Sequence, residues 1–159
     1  MSQKICCFTG HREIPHEEYE PLAELLEETV RKLAQKGVTE YRAGGARGFD
    51  MLAAQTVLRL KKEMPALRLV LKLPYKQKGR SWSAEERAIY EEICAQAEST
   101  SYIAEHYTRG CMQRRNRQLV EGSGYCVSYC TRDTGGTAYT VAYARKNGLE
   151  IINLADWLL

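Results

Sequence analysis

Apolar residues occur along the chain in two kinds of pattern. Short continuous runs, such as KICCFTG and LRLVLKLP, end at a glycine or a proline and are typical of strands that are buried on both faces. Between residues 17 and 36, apolar residues instead recur every third or fourth position, and Gly37 supplies a stop. The two patterns predict strands that alternate with helices.

This alternation continues to the end of the chain. Further strands are predicted in VTEYRA, TSYIA, GYCVSYC and LEIINL, and further helices at residues 51–64, 83–97, 109–121 and 137–146. Strands joined by helices form parallel sheets with right-handed crossovers. The sequence therefore predicts an α/β fold: one Rossmann-like, doubly wound, mainly parallel sheet of about six strands with helices on both faces.

Composition fits one globular domain over residues 1–159, with 44% hydrophobic and 27% charged residues. The sequence has neither an apolar run long enough to span a membrane nor a signal peptide, so a cytoplasmic protein without a membrane partner is expected. The six cysteines form no CxxC pair and are expected to be free thiols rather than disulfides or zinc ligands.

The net charge of +3 is too small to indicate nucleic-acid binding by itself. Basic residues are concentrated, however, at residues 76–80 and 109–117. These runs predict a local preference for anions, with solvated helix and loop faces as the alternative.

Ligands of doubly wound sheets bind beyond the carboxyl ends of the strands. Four predicted loops end there: TGHRE, GGARGFD, PYKQKGRSW and TRDTGGT. In the first, Thr9 and Gly10 precede His11 and Arg12, which can donate hydrogen bonds to phosphate oxygens. The alternative is that Gly10 only turns the chain and Arg12 lies over the next helix.

The second loop almost matches the dinucleotide fingerprint GxGxxG, but Ala43 stands where the first glycine is required. It also lacks the lysine of a P-loop. Its glycines still predict backbone donors for an anion at a helix N-terminus, with Arg47 beside them. Asp50 is expected to cap that helix before it contacts any ligand.

The other loops offer similar groups. Gly135, Gly136 and Thr137 form a second predicted cradle, in which the Thr137 hydroxyl either caps the helix or contacts phosphate. Tyr75, Gln77, Lys78, Arg80 and Trp82 are suited to a base and a phosphate, although an exposed loop with a packed tryptophan has the same composition.

Arg115 and Asn116 lie within a predicted helix, and the arginine is expected either to pair with phosphate or to lie at the surface. Tyr139 and Tyr143 are expected to pack along their helix rather than to bind a cofactor. The sequence has no HExxH motif, no GxSxG motif and no Cys/His pairing, so neither a metal nor a catalytic set is predicted.

Taken together, the motifs CFTGHRE, GGARGFD, LPYKQKGRSW, GCMQRRNRQLVEGSG and TGGTAYTVAYA resemble the YpsA-like family of the SLOG superfamily, in order and over nearly the whole chain. The resemblance implies a Rossmann-like fold related to DprA and to the LOG phosphoribohydrolases, and a sensor-like protein that binds nucleotides or their derivatives. It implies a pocket formed by Thr9, Gly10, His11, Arg12, Gly44, Gly45, Ala46, Arg47, Gly48, Asp50, Gln77, Trp82, Arg115, Asn116, Gly135, Gly136 and Thr137.

One departure from the LOG pattern concerns catalysis. The LOG motif PGGxGTxxE ends in a glutamate that acts as acid and base, whereas this sequence has Thr140 there. A binding protein for a nucleotide, ADP-ribose or an NAD-like ligand is therefore favoured over an enzyme. The alternatives are a LOG-like hydrolase, with Asp50 or His11 as acid and base, and a DprA-like single-stranded DNA binder. A homodimer is a candidate assembly, because folds of this kind often pair through exposed helices.

Overall fold

The computed structural model describes residues 3–76 and 82–158. Its strands form one fully parallel sheet with the order β4-β3-β2-β1-β5-β6. The strands are β1 (Ile5–Gly10), β2 (Glu40–Ala43), β3 (Arg68–Tyr75), β4 (Ser99–Ala104), β5 (Tyr125–Tyr129) and β6 (Glu150–Asn153).

Helices connect the strands. They are α1 (His16–Gln35), α2 (Phe49–Lys61), α3 (Ala84–Gln96), α4 (Cys111–Val120) and α5 (Gly136–Lys146), and a 3₁₀ helix (Leu154–Trp157) follows the last strand. The predicted Rossmann-like α/β fold is confirmed. No helix of residues 3–76 or 82–158 is long and apolar enough to cross a membrane.

The sheet is covered on both faces because successive side chains of a strand point to opposite sides. In β1, Cys6 and Phe8 belong to the larger core, which also contains residues of α1, α2 and α3. Cys7 between them belongs to a smaller core with residues of α4 and α5. The continuous apolar run of β1 thus fills two separate cores, which is why it shows no polar alternation.

The observed ends of most helices and strands differ from the predicted ends by one to three residues. Helix ends fray, so differences of this size are common. The helix predicted to start at residue 51 begins at Phe49, because Gly48 is its N-cap. The 3₁₀ helix was not predicted. It begins where the Asn153 side chain accepts a hydrogen bond from the Ala155 N–H.

Candidate ligand site at the centre of the sheet

The strand order places a crevice at the carboxyl ends of β1 and β5. From β1 the chain adds β2, β3 and β4 on one side and then crosses back to add β5 on the other. The loops after β1 and β5 therefore lead to opposite faces of the sheet, and such a switch point is where open α/β sheets bind ligands. A cavity of about 750 Å³ lies at this point.

Three segments supply most of the cavity wall: the end of β1 with its loop, the helix α4, and the loop between β5 and α5. The predicted site residues in the wall are Thr9, Gly10, His11, Arg12, Ala46, Asp50, Arg115, Asn116, Gly135, Gly136 and Thr137. The other lining residues are Phe8, Glu13, Met112, Gln113, Leu119, Arg132, Thr134 and Tyr139.

His11 joins the two loops that border the crevice. Its Nε2 accepts a hydrogen bond of 2.9 Å from the backbone N–H of Thr131, and its ring lies edge-on to Tyr129. Burial lowers the pKa of His11, and the nearby Arg132 guanidinium lowers it further. The side chain is therefore held neutral, with Nε2 as the acceptor that ties the β1 loop to the β5 loop.

Stability should consequently depend on the protonation of His11. The pKa of His11 in the folded state lies below the value of about 6.5 expected in the unfolded chain. The stability that neutral His11 contributes is therefore fully present above about pH 6.5. It is lost as pH falls through the folded-state pKa, since protonated Nε2 cannot accept from Thr131. Urea denaturation at several pH values between about 7.5 and 5 should show a shallower pH dependence for His11→Gln than for the wild type.

The exposed His106 offers a matched control. His106→Gln should keep the pH dependence of the wild type. An unchanged pH dependence in His11→Gln would show that the Thr131 hydrogen bond does not couple stability to protonation.

The GGARGFD loop contributes less to the cavity wall than its glycines suggested. Only Ala46 and Asp50 of this loop line the cavity, and Gly44, Gly45, Arg47 and Gly48 are not among its lining residues. A Cβ atom on Gly44 would lie 2.7 Å from Nη1 of Arg115. Glycine at this position is explained by the side chain packed against it, and a role in ligand binding stays a prediction.

Asp50 is not the helix cap that the sequence predicted. Gly48 occupies the N-cap position without a side-chain cap hydrogen bond, and Asp50 lies in the first turn of α2. Its carboxylate accepts a hydrogen bond of 3.2 Å from the backbone N–H of Ala46. Asp50 therefore closes the loop that precedes its own helix, and it does so from the wall of the cavity.

Arg115 is buried, which excludes the predicted alternative of a surface role. Only 5% of the residue is exposed. Its guanidinium donates to the carbonyl oxygen of Gly44, and its Nε donates to Oδ1 of Asn116 at 2.8 Å. Burial lowers the pKa of Arg115, and the Asp50 carboxylate opposes this shift. The arginine stays charged and joins α4 to the GGARGFD loop.

The loop after β5 presents the N-terminus of α5 to the cavity. Gly135 is the N-cap and no side chain caps this helix, which excludes the alternative in which the Thr137 hydroxyl caps it; contact with phosphate stays a prediction. The backbone N–H groups of the first helical turn have no partners within the helix, because their acceptors would lie before its start. They carry the positive end of the helix dipole.

Two exposed arginines accompany this helix end. Arg12 and Arg132 come from the loops after β1 and β5, and both line the cavity. Arg12 lies near enough to Arg115, and Arg132 near enough to His11, to lower their pKa values. The crevice thus has one long guanidinium side chain from each of its two bordering loops, and each can pair with phosphate.

Several predicted ligand groups lie elsewhere. Trp82 packs edge-on against Tyr90 at 5.2 Å and joins the larger core, and Tyr75 contacts Tyr107 in the same way. Arg47 lies 3.8 Å from a carboxylate oxygen of Glu86 on α3. None of these predicted residues lines the cavity. Gln77, Lys78 and Arg80 lie outside the described residues.

The residues that sequence reasoning missed had weak signals. Arg132 belongs to TRDTGGT, a loop singled out for its glycines rather than for its arginine. Tyr139 stacks parallel to Tyr143, as expected for helix packing, yet it also forms part of the cavity wall. Its position three residues after Gly136 was the available signal, since this spacing places it one helical turn from the start of α5.

A comparison with protein families shows which family this chain belongs to. The YpsA model, described as YspA SLOG family, matches residues 6–152. The chain belongs to the YpsA SLOG family. The match begins within β1 and ends within β6, so it includes all but the outermost residues of the sheet and every residue that lines the cavity.

Two further proteins are similar to this one over most of its length. The uncharacterized SPbeta prophage-derived protein YoqJ of Bacillus subtilis (strain 168) is 25% identical over 140 residues, which make up 80% of this chain and 80% of YoqJ. The UPF0398 protein BH1768 of Halalkalibacterium halodurans is 27% identical over 124 residues, or 76% of this chain and 66% of that protein.

A solved structure shares the fold of this YpsA SLOG protein. DNA processing protein A from Helicobacter pylori, whose structure was described for its single-stranded DNA binding mode, matches with a TM-score of 0.65 at 19% identity. The match covers 92% of this chain and 63% of the Helicobacter protein, which is less than two thirds of its length. This likeness shows a common fold.

Proposed function

We propose that this protein binds a nucleotide or a nucleotide derivative, such as ADP-ribose or an NAD-like molecule, in the switch-point cavity. The observation that carries the proposal is the convergence of Arg12, Arg132 and the uncapped N-terminus of α5 on one cavity. Guanidinium groups and free backbone N–H groups at a helix start are the donors that proteins use for phosphate.

The size and composition of the cavity support a ligand of this class. Its volume of about 750 Å³ lies within the range of small-molecule and cofactor sites. The wall also holds two carboxylates, of Glu13 and Asp50. Asp50 accepts from the Ala46 N–H and balances the charge of the buried Arg115. The exposed charges of the wall are then those of Arg12, Arg132 and Glu13, with a positive sum.

Binding is favoured over N-glycosidic hydrolysis because of the chemistry at Thr140. Its hydroxyl donates a hydrogen bond of 2.9 Å to the carbonyl oxygen of Gly136 within α5, and the residue is fully buried. A hydroxyl in this state has no acidic proton to give to a leaving group at neutral pH. Thr140, at the position of the LOG glutamate, therefore makes a hydrogen bond within α5 rather than acting as an acid or base.

Isothermal titration calorimetry with ADP-ribose, AMP and NAD tests the proposal. Arg132→Gln is expected to weaken binding by about 10- to 100-fold, because a charge-assisted hydrogen bond to phosphate is lost. Arg145→Gln, an exposed change in the last turn of α5, should leave binding unchanged. Equal affinities for the two variants, or no binding of any of the three ligands at millimolar concentration, would overturn the proposal.

The same samples test for turnover. Chromatography of the ligands after prolonged incubation is expected to show no free base and no ribose phosphate. Release of either product that disappears in Asp50→Asn would favour the hydrolase alternative instead.

Single-stranded DNA is a second candidate ligand, and one surface feature favours it. Arg109 just before α4 and Arg114 in its first turn are both exposed, and this helix supplies Met112 and Gln113 to the cavity wall. A strand that entered the cavity would pass these cations. Fluorescence anisotropy with a labelled oligo(dT) at low salt should then show binding that falls steeply with salt and weakens in Arg114→Gln. A flat titration would remove this candidate.

A further inference from the structure

Resting on the proposed function, we infer that Tyr139 is the residue that recognises the base, so that the ligand is a nucleotide with an intact heteroaromatic ring rather than a sugar phosphate. Tyr139 is the exposed aromatic residue of the cavity wall, and 42% of it is open to solvent. The aromatic residues that the sequence offered for this role, Trp82 and Tyr75, do not line the cavity.

Tyr139 stands at the right place relative to the phosphate donors. It follows Gly136 by three residues on α5, so it lies about one turn, or roughly 5 Å, along the helix axis from the uncapped start. A ligand whose phosphate is held at the start of α5 therefore extends alongside the residue. Met112 of α4 is also in the wall and adds a polarizable side chain that packs well against aromatic rings.

The ring of Tyr139 is fixed before any ligand arrives. Its hydroxyl accepts a hydrogen bond of 3.2 Å from the Arg117 guanidinium, and its ring is parallel to that of Tyr143 within 8°. Tyr143 is itself held by a 2.9 Å hydrogen bond from its hydroxyl to the Glu121 carboxylate. A side chain held in this way loses little conformational entropy when a base stacks on it, which favours binding.

A packing role alone accounts for part of these contacts, since they join α4 to α5. It does not account for the exposed ring surface in the wall of a cavity. The two roles predict different results for ligands that differ only by the base, so AMP and ribose 5-phosphate are the appropriate pair of probes.

Calorimetry should show that the wild-type protein binds AMP more tightly than ribose 5-phosphate. Tyr139→Ala is expected to weaken AMP binding by roughly 5- to 100-fold, the effect of removing one base-stacking aromatic residue, and to leave ribose 5-phosphate binding unchanged. Tyr139→Phe keeps the ring and should retain most of the preference for AMP. Tyr19→Ala, which removes an equally exposed tyrosine ring on α1 outside the cavity wall, is the matched control and should also retain it.

Circular dichroism checks that each variant is folded, and Tyr139→Leu replaces Tyr139→Ala if the smaller side chain destabilises the helix pair. Equal affinities of the wild type for AMP and ribose 5-phosphate would overturn base recognition and leave phosphate binding intact. An equal loss of both ligands in the Tyr139 variant would overturn it as well, because that is the result of a purely structural role. A wild-type protein that binds none of AMP, ribose 5-phosphate, ADP-ribose and NAD would instead refute the proposed function itself.

Discussion

Replacing Gly48 by alanine is expected to destabilise the protein by about 2–5 kcal/mol. Two costs add at this residue. Its φ of +78° is a backbone conformation that residues with a side chain rarely adopt, and a Cβ atom would lie 2.2 Å from the carbonyl oxygen of Arg12. Neither backbone can move freely, because the Phe49 N–H donates to the carbonyl oxygen of His11 at 3.1 Å.

Chemical denaturation of Gly48→Ala and Gly37→Ala compares a tightly enclosed glycine with an open one. Gly37 also has a positive φ, of +93°, but a Cβ atom there would have no neighbour within 4 Å. Its replacement should cost only about 1–2 kcal/mol from backbone strain. If the two variants unfold at the same denaturant concentration, the contact between Gly48 and the Arg12 carbonyl is not tight in solution.

The second large effect is expected at Arg115. Arg115→Ala should lower the free energy of unfolding by about 3–5 kcal/mol, because it leaves the buried Asp50 carboxylate without its cation and the Gly44 carbonyl without its donor. Arg115→Lys should recover only part of this loss, since an ammonium group cannot reproduce the planar guanidinium that reaches Gly44 and Asn116 together.

Arg114 is the matched control on the same helix. It is exposed and donates to Thr108 and to the Arg109 carbonyl oxygen, so Arg114→Ala should change stability by less than about 1 kcal/mol. In a double-mutant cycle, Asp50→Asn should cost less in the Arg115→Ala background than in the wild type, since the buried charge is then removed. Additive effects of the two changes would show that Arg115 and Asp50 do not interact.

The strands and the general position of the site were accessible from sequence for a simple physical reason. A strand such as β1 is buried on both faces, so its apolar run is visible without knowledge of its neighbours. The rule that ligands bind beyond parallel strand ends then selected the loops that contain Arg12 and Gly135. These parts of the prediction depend on local sequence alone.

Which loops and side chains border the cavity depends on the order of the strands in the sheet, and local sequence does not determine that order. β3 lies two strands away from β1, or about 10 Å, whereas β5 lies directly beside it. The β5 loop therefore borders the cavity, while Tyr75 at the end of β3 and Trp82 just before α3 do not line it. The same crossover carries α4 over the sheet and buries Arg115 beneath the GGARGFD loop, a contact between residues 71 positions apart.

Glycine-rich loops have more than one physical explanation for a related reason. GGARGFD resembles a phosphate-binding loop, yet Gly44 and Gly48 are explained by the Arg115 side chain and the Arg12 backbone packed against them. A requirement for glycine is set by whatever approaches the backbone closely. Sequence shows that something approaches, and only the fold shows whether it is a ligand or another part of the chain.

The hydrogen bond between Thr131 and His11 can be observed directly by NMR through the imidazole ring of His11. Because Nε2 accepts from Thr131, the neutral ring carries its proton on Nδ1, and the two ring nitrogens should give well-separated ¹⁵N resonances. The chain has only two other histidines, His16 and His106, and both are exposed. An NMR spectrum of histidine-labelled protein would thus report, from a single imidazole, whether this hydrogen bond between the two loops persists when a ligand binds, without any label on the ligand.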